Sequence, residues 1–118
     1  MQPTVTIQRI IKKEHTASSM KSGSLDVLST PQLICWMEEA SCLCVELDEA
    51  FTSVGIEMNM KHKKASPIGK EISIVSTLLE QEEKLLIFKV EAFQDGDCIG
   101  SGIHKRYIVD IDTFISKL

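Results

Sequence analysis

Three side chains with the makings of acyl-transfer chemistry are spaced along the chain at Thr30, Glu38 and His62. Ser29-Thr30-Pro31-Gln32 reads as a helix start, with Ser29 or Thr30 as the capping hydroxyl, Gln32 completing a capping box on Ser29, and Pro31 suited to the first turn. A hydroxyl there lies where backbone N–H groups and the helix dipole favour developing negative charge. Glu38 follows two turns later, about 12 Å along the axis. Its neighbours four residues away are Ile34 and Cys42, an apolar row rather than a solvated stripe; Glu39, between Cys35 and Leu43, is the alternative carboxylate. Carboxylates are seldom buried alone, and His62 is the candidate partner. On a strand over residues 52–63 it shares one parity with Val54, Ile56, Met58 and Met60, while Ser53, Gly55, Glu57, Asn59 and Lys61 share the other. A hydroxyl, an imidazole and a carboxylate in one cleft suit nucleophilic or base-assisted acyl transfer, with Gly55 as a candidate backbone donor to an oxyanion. Taken singly each has a plainer role: Thr30 a cap, His62 a structural or strand-end histidine beside Lys61, Lys63 and Lys64, Glu38 its buried partner, Gly55 a bulge.

Positioning these groups falls to the elements around them. Residues 4–13 carry a weak edge-strand pattern, and 14–29 read as a structured loop around Ser22-Gly23-Ser24. The run from Leu33 to Val45 is apolar on nearly every side, as a buried helix would be, so the rest of the chain must wrap around it. Strands are expected over 52–63, 71–80, 84–93 and 98–110, with Ser66-Pro67-Ile68-Gly69 turning ahead of the last three. The short connections at 81–83 and 94–97 make those three an antiparallel meander, and 112–118 close as a short helix. Strand, loop, apolar helix and four strands predict an α+β fold of the hotdog kind, an antiparallel sheet curled around a central helix, as one domain over 1–118.

Composition narrows the partners. The net charge of -4 argues against a surface built for nucleic acid phosphates, and a 43% hydrophobic, 25% charged chain has the material for one core. None of the four cysteines lies in a CxxC pair or near histidines at zinc-ligand spacing, so no metal site is expected. Three lie in the apolar helix, where buried free thiols and a reducing compartment are the expectation. No apolar signal core and no stretch near 20 apolar residues is present, which predicts a cytoplasmic protein without a membrane partner.

In the stretches Thr16-Ala17, Ser22 to Pro31, Trp36-Met37-Glu38-Glu39-Ala40, Thr52-Ser53-Val54-Gly55, His62 and Gly102-Ile103-His104-Lys105-Arg106, the chain resembles hotdog-fold acyl-CoA thioesterases, most closely the fluoroacetyl-CoA thioesterase-like branch. The likeness runs over nearly the whole chain. It implies hydrolysis of a thioester to free acid and CoA by Thr30, Glu38 and His62, with a backbone amide at Gly55 near the carbonyl and no cofactor apart from the CoA of the substrate. It also implies a homodimer or higher assembly with the site near the subunit interface, and a CoA tail leaving over basic surface, for which Lys61, Lys63, Lys64, Lys105 and Arg106 are the candidates. One departure stands out: no Phe, Tyr or Trp precedes Trp36, where the fluoroacetyl specialist has an aromatic residue in the loop before its threonine. The competing readings are a non-catalytic acyl-CoA-binding hotdog dimer and a hotdog hydratase or dehydratase. His104 and Arg106 share a strand face, assigned to the dimer or to CoA.

Overall fold

In the computed structural model, which describes residues 3–118, five strands form one antiparallel sheet in the order β1-β3-β4-β5-β2. The strands are β1 (Thr4–Ile10), β2 (Phe51–His62), β3 (Glu71–Glu82), β4 (Leu85–Gln94) and β5 (Asp97–Asp110). Among the described residues the α-helices are α1 (Ala17–Met20), α2 (Thr30–Leu43) and α3 (Ile111–Ser116), with a 3-10 turn at Lys13–His15. Of the 1–118 span expected as one domain, Met1 and Gln2 lie outside the described residues.

Turn chemistry sets the meander. Asp95 and Gly96 link β4 to β5 with φ of 50° and 83°, positive at both central residues as a type I′ hairpin turn requires. Alternation along the meander sends Ile72, Ile74 and Ser76 of β3, and Leu86, Phe88, Val90 and Ala92 of β4, into the core. Against them α2 buries Leu33, Trp36, Met37, Ala40 and Ser41, one stripe at helical spacing. Ser41 Oγ donates to the Met37 carbonyl at 2.8 Å and stands 2.8 Å from Ser76 Oγ, so a buried hydroxyl pair ties α2 to β3. At the start of α2, Ser29 Oγ accepts the Gln32 N–H at 3.1 Å. Ser29 is thus the cap, and Thr30, the first helical residue, keeps its hydroxyl for other work.

Two expectations need correction. The sheet covers only one side of α2, so within this chain the helix is not buried all round. Cys35, Cys42 and Leu43 are exposed on its open side, and Cys44 and Cys98 are half-buried. The four thiols are free but not core residues. The second correction is in β2, where the pairing with β5 shifts between Gly55 and Glu57, a bulge with Ile56 as the extra residue. A bulge reverses the side-chain alternation. Gly55 therefore pairs with the inward-facing Arg106, Ile56 is exposed, and Met58, Met60 and His62 face the helix half-buried beyond the bulge. The uniform parity from Val54 to His62 holds only from Met58 onward. Among the described residues no helix is long and apolar enough to cross a membrane, and no group of three or more His, Cys, Asp or Glu is arranged to hold a metal ion.

Candidate active site

Thr30 Oγ1 and His62 Nδ1 are 2.8 Å apart, the hydrogen bond that joins the start of α2 to the end of β2. The cap on Ser29 releases the hydroxyl, and alternation beyond the bulge turns the ring inward. Gly100, paired with His62 across the ladder, would bring an added Cβ to 3.2 Å from Leu33, so the absence of a side chain keeps that end of the sheet close to α2. Burial lowers the His62 pKa below the ordinary histidine value, with the Lys64 backbone pulling the other way. The ring is therefore neutral at physiological pH. The pair opens into a cleft of about 240 Å³ lined by Ala17, Ser22, Val27, Leu28, Lys63 and Lys64 among others. Neutral imidazole against hydroxyl, at a helix N-terminus, is the geometry of a base beside its proton donor.

Glu38 does not join this pair within one chain. Its Oε2 lies 3.3 Å from Arg106 Nη1 and 4.0 Å from His104 Nε2. Eight helical residues carry Glu38 about 12 Å beyond Thr30, and the β2 residue beside its carboxylate is Gly55, seven positions before His62, so acid and imidazole are held apart along both elements. A Cβ on Gly55 would fall 2.7 Å from Glu38 Oε2 and 3.3 Å from Arg106 Nη1. A methyl there would have to displace the Glu38 carboxylate, the end of a flexible side chain, and the bulge beside Gly55 interrupts the ladder.

Arg106 is 7% exposed and held by Ser53: Nε donates to Ser53 Oγ at 2.8 Å and Nη2 to the Ser53 carbonyl at 2.9 Å. It is an interior residue rather than part of an open basic surface. Lys61 lies on the outer face of β2 from His62, and Lys105 pairs with Glu57 at 3.7 Å. Lys63 and Lys64 line the Thr30–His62 cleft, Lys64 reaching Asp97 at 4.0 Å. The alternative carboxylate, Glu39, faces away and bridges to Arg9 at 2.5 Å. Sequence reasoning gave no role to Ser53 and only a loose one to His104. Both depend on β5 register, which alternation alone did not resolve; the two-residue spacing of His104 and Arg106 was the available signal.

The protein-family model described as fluoroacetyl-CoA-specific thioesterase matches residues 11–112. A fluoroacetyl-CoA thioesterase of Streptantibioticus cattleyicolor is 27% identical over 95 residues, 79% of this chain and 68% of that one. Among solved structures, a variant of the fluoroacetyl-CoA-specific thioesterase in complex with fluoroacetate and CoA superposes with a TM-score of 0.88 at 23% identity, covering 97% of this chain and 98% of that chain. A hot-dog-like protein from Thermanaerovibrio acidaminovorans gives a TM-score of 0.90 at 15% identity, covering 98% and 87%. The hotdog architecture is thereby shared with known structures. With its family match across most of its length, the chain belongs to the fluoroacetyl-CoA-specific thioesterase family, and is a thioester hydrolase.

Proposed function

We propose that this chain hydrolyses acyl-CoA thioesters to free acid and CoA at a site where Thr30 and His62 of one copy face Glu38 of a second. The observation that carries the reading is the 2.8 Å contact between Thr30 Oγ1 and His62 Nδ1 at the mouth of a cleft. His62, neutral through burial, draws a proton from the Thr30 hydroxyl, directly or through a water held on it. The oxygen so activated attacks the thioester carbonyl. A backbone N–H near Gly55 of the second copy, beside that copy's Glu38, receives the oxyanion, and the CoA thiolate, a good leaving group, departs with little acid assistance. Glu38 supplies the second base, for the water consumed in hydrolysis.

A homodimer accounts for the separation of the two clusters. Among the described residues β2 pairs only with β5, leaving its outer edge open, and α2 leaves Cys35 and Cys42 exposed and Ile34 and Glu38 half-exposed. Two antiparallel copies of α2 crossing near Ile34, midway between Thr30 and Glu38, set the carboxylate of each opposite the hydroxyl of the other. Lys63 and Lys64, at the cleft mouth, are the cations placed to meet CoA phosphates. No cofactor beyond the substrate's own CoA is needed, and the reaction belongs to the cytoplasm.

A panel of short, branched, aromatic and long acyl-CoAs with a thiol-reactive dye tests the activity. Thiol release is expected, with kcat/KM lowered at least about a hundredfold in Thr30→Ala and His62→Ala. Binding without thiol release across the panel would overturn the reading in favour of a non-catalytic acyl-CoA binder; an altered acyl chain on an intact thioester would point to a hydratase.

A further inference from the structure

A second buried histidine stands apart from the Thr30–His62 pair, and its hydrogen bonds settle its protonation. His104 is 1% exposed, on β5, with its ring stacked on Phe88 at 6.1 Å between centroids. Its Nδ1 lies 2.8 Å from the Glu57 carbonyl oxygen, which only accepts, so Nδ1 carries the hydrogen. Its Nε2 lies 3.2 Å from Arg106 Nη1, which only donates, so Nε2 presents a lone pair. The ring is thus one neutral tautomer, set from both sides. Burial acts in the same direction, lowering its pKa, against the opposing pull of the Glu57 carbonyl and the Glu38 charge and with the Arg106 charge on its side.

Arg106 is in turn fixed on every arm. Nε and Nη2 are taken up by Ser53, one Nη1 hydrogen goes to His104, and the other points at Glu38 Oε2, 3.3 Å away. The β2 bulge links these contacts, since Ser53 and Gly55 lie before it and the Glu57 carbonyl after it. From this network we infer that His104 is a positioning residue: as a neutral acceptor it aims the Arg106 guanidinium at Glu38 and so holds the carboxylate in its working orientation. This rests on the reading of Glu38 as a reacting group, and acts through Arg106 without touching substrate. Protonation of His104 would put an N–H against the Nη1 hydrogens and break the chain of contacts at its centre.

The two amide variants separate positioning from packing. His104→Gln keeps an acceptor near the position of Nε2; His104→Asn keeps only a donor near Nδ1. Both lose the ring that stacks on Phe88. Steady-state kinetics on the full chain, with the best acyl-CoA of the panel as probe, should give a kcat lowered about tenfold in His104→Asn at KM within about twofold, and a kcat within about threefold of the parent in His104→Gln. Equal losses of kcat in the two variants would reduce His104 to a packing residue and overturn the inference. Should His104→Asn fail to fold, Ser53→Ala, which frees Arg106 Nε, carries the same test: a kcat lowered severalfold at unchanged KM supports the network, and an unchanged kcat overturns it. Glu38→Gln run in parallel distinguishes the two levels of the argument. Full turnover in that variant would refute the role of Glu38 itself, whereas loss there with no effect in the His104 and Ser53 variants would refute the positioning role alone.

Discussion

A base must be neutral to accept a proton, and burial holds His62 in that form below the ordinary histidine value of 6.5. The sign follows directly: protonation from the acid side removes the base, and a lowered pKa moves that loss to lower pH. The acid limb of kcat/KM against pH is therefore expected to fall below pH 6.5, where a solvent-exposed histidine would already be half protonated; a limb above that value would show that His62 is not the titrating base. Thr30 and His62 were legible in the sequence because each stands at the end of an element, one fixed by a cap and the other by alternation. The partner of Glu38 was not. Its neighbours Ile34 and Cys42 pointed to burial, but that side of α2 is open and Glu38 is half-exposed, and the choice between His62 and His104 depends on where β2 and β5 cross the helix, which the residue pattern does not encode.

At the scale of elements, turns and periodicity were readable and interruptions were not. The Asp95-Gly96 hairpin, the meander and the helix start all follow from local chemistry. The bulge at Gly55–Glu57 carries no comparable mark, since a lone glycine in a strand is consistent with a bulge or with a close approach, and here it serves both. Gly55→Ala is expected to push the Glu38 carboxylate aside and lower kcat at least about tenfold while the thermal midpoint stays within a few degrees of the parent. Gly102→Ala should do the reverse. A methyl there would run into the Asn59 and Met60 backbone of β2, so it should cost about 1–3 kcal/mol in denaturant unfolding by prising β5 from β2. Activity lost in Gly55→Ala only in proportion to lost stability would remove the close-approach argument.

For the whole molecule, the apolar character of α2 on nearly every side predicts a helix buried all round, and the sheet covers only one side of it. Leu33, Trp36, Met37 and Ala40 face the strands, and the side bearing Cys35, Glu38 and Cys42 stays open. A sequence specifies that a surface must be covered, not which chain covers it. β2 is an edge strand and one face of α2 is open, and in the proposed dimer a second copy would cover that face and join the separated halves of the site. The most direct measurement is of a heterodimer made by co-expressing Glu38→Gln and His62→Ala chains under two different tags and purifying through both. Each parent homodimer should be inactive, while the heterodimer, with one intact site assembled from the Thr30–His62 pair of the first chain and Glu38 of the second, should turn over acyl-CoA at about half the rate of the unmodified dimer. A heterodimer as inactive as its parents would contradict the shared site and place Glu38 and His62 in one chain's machinery or outside the reaction altogether.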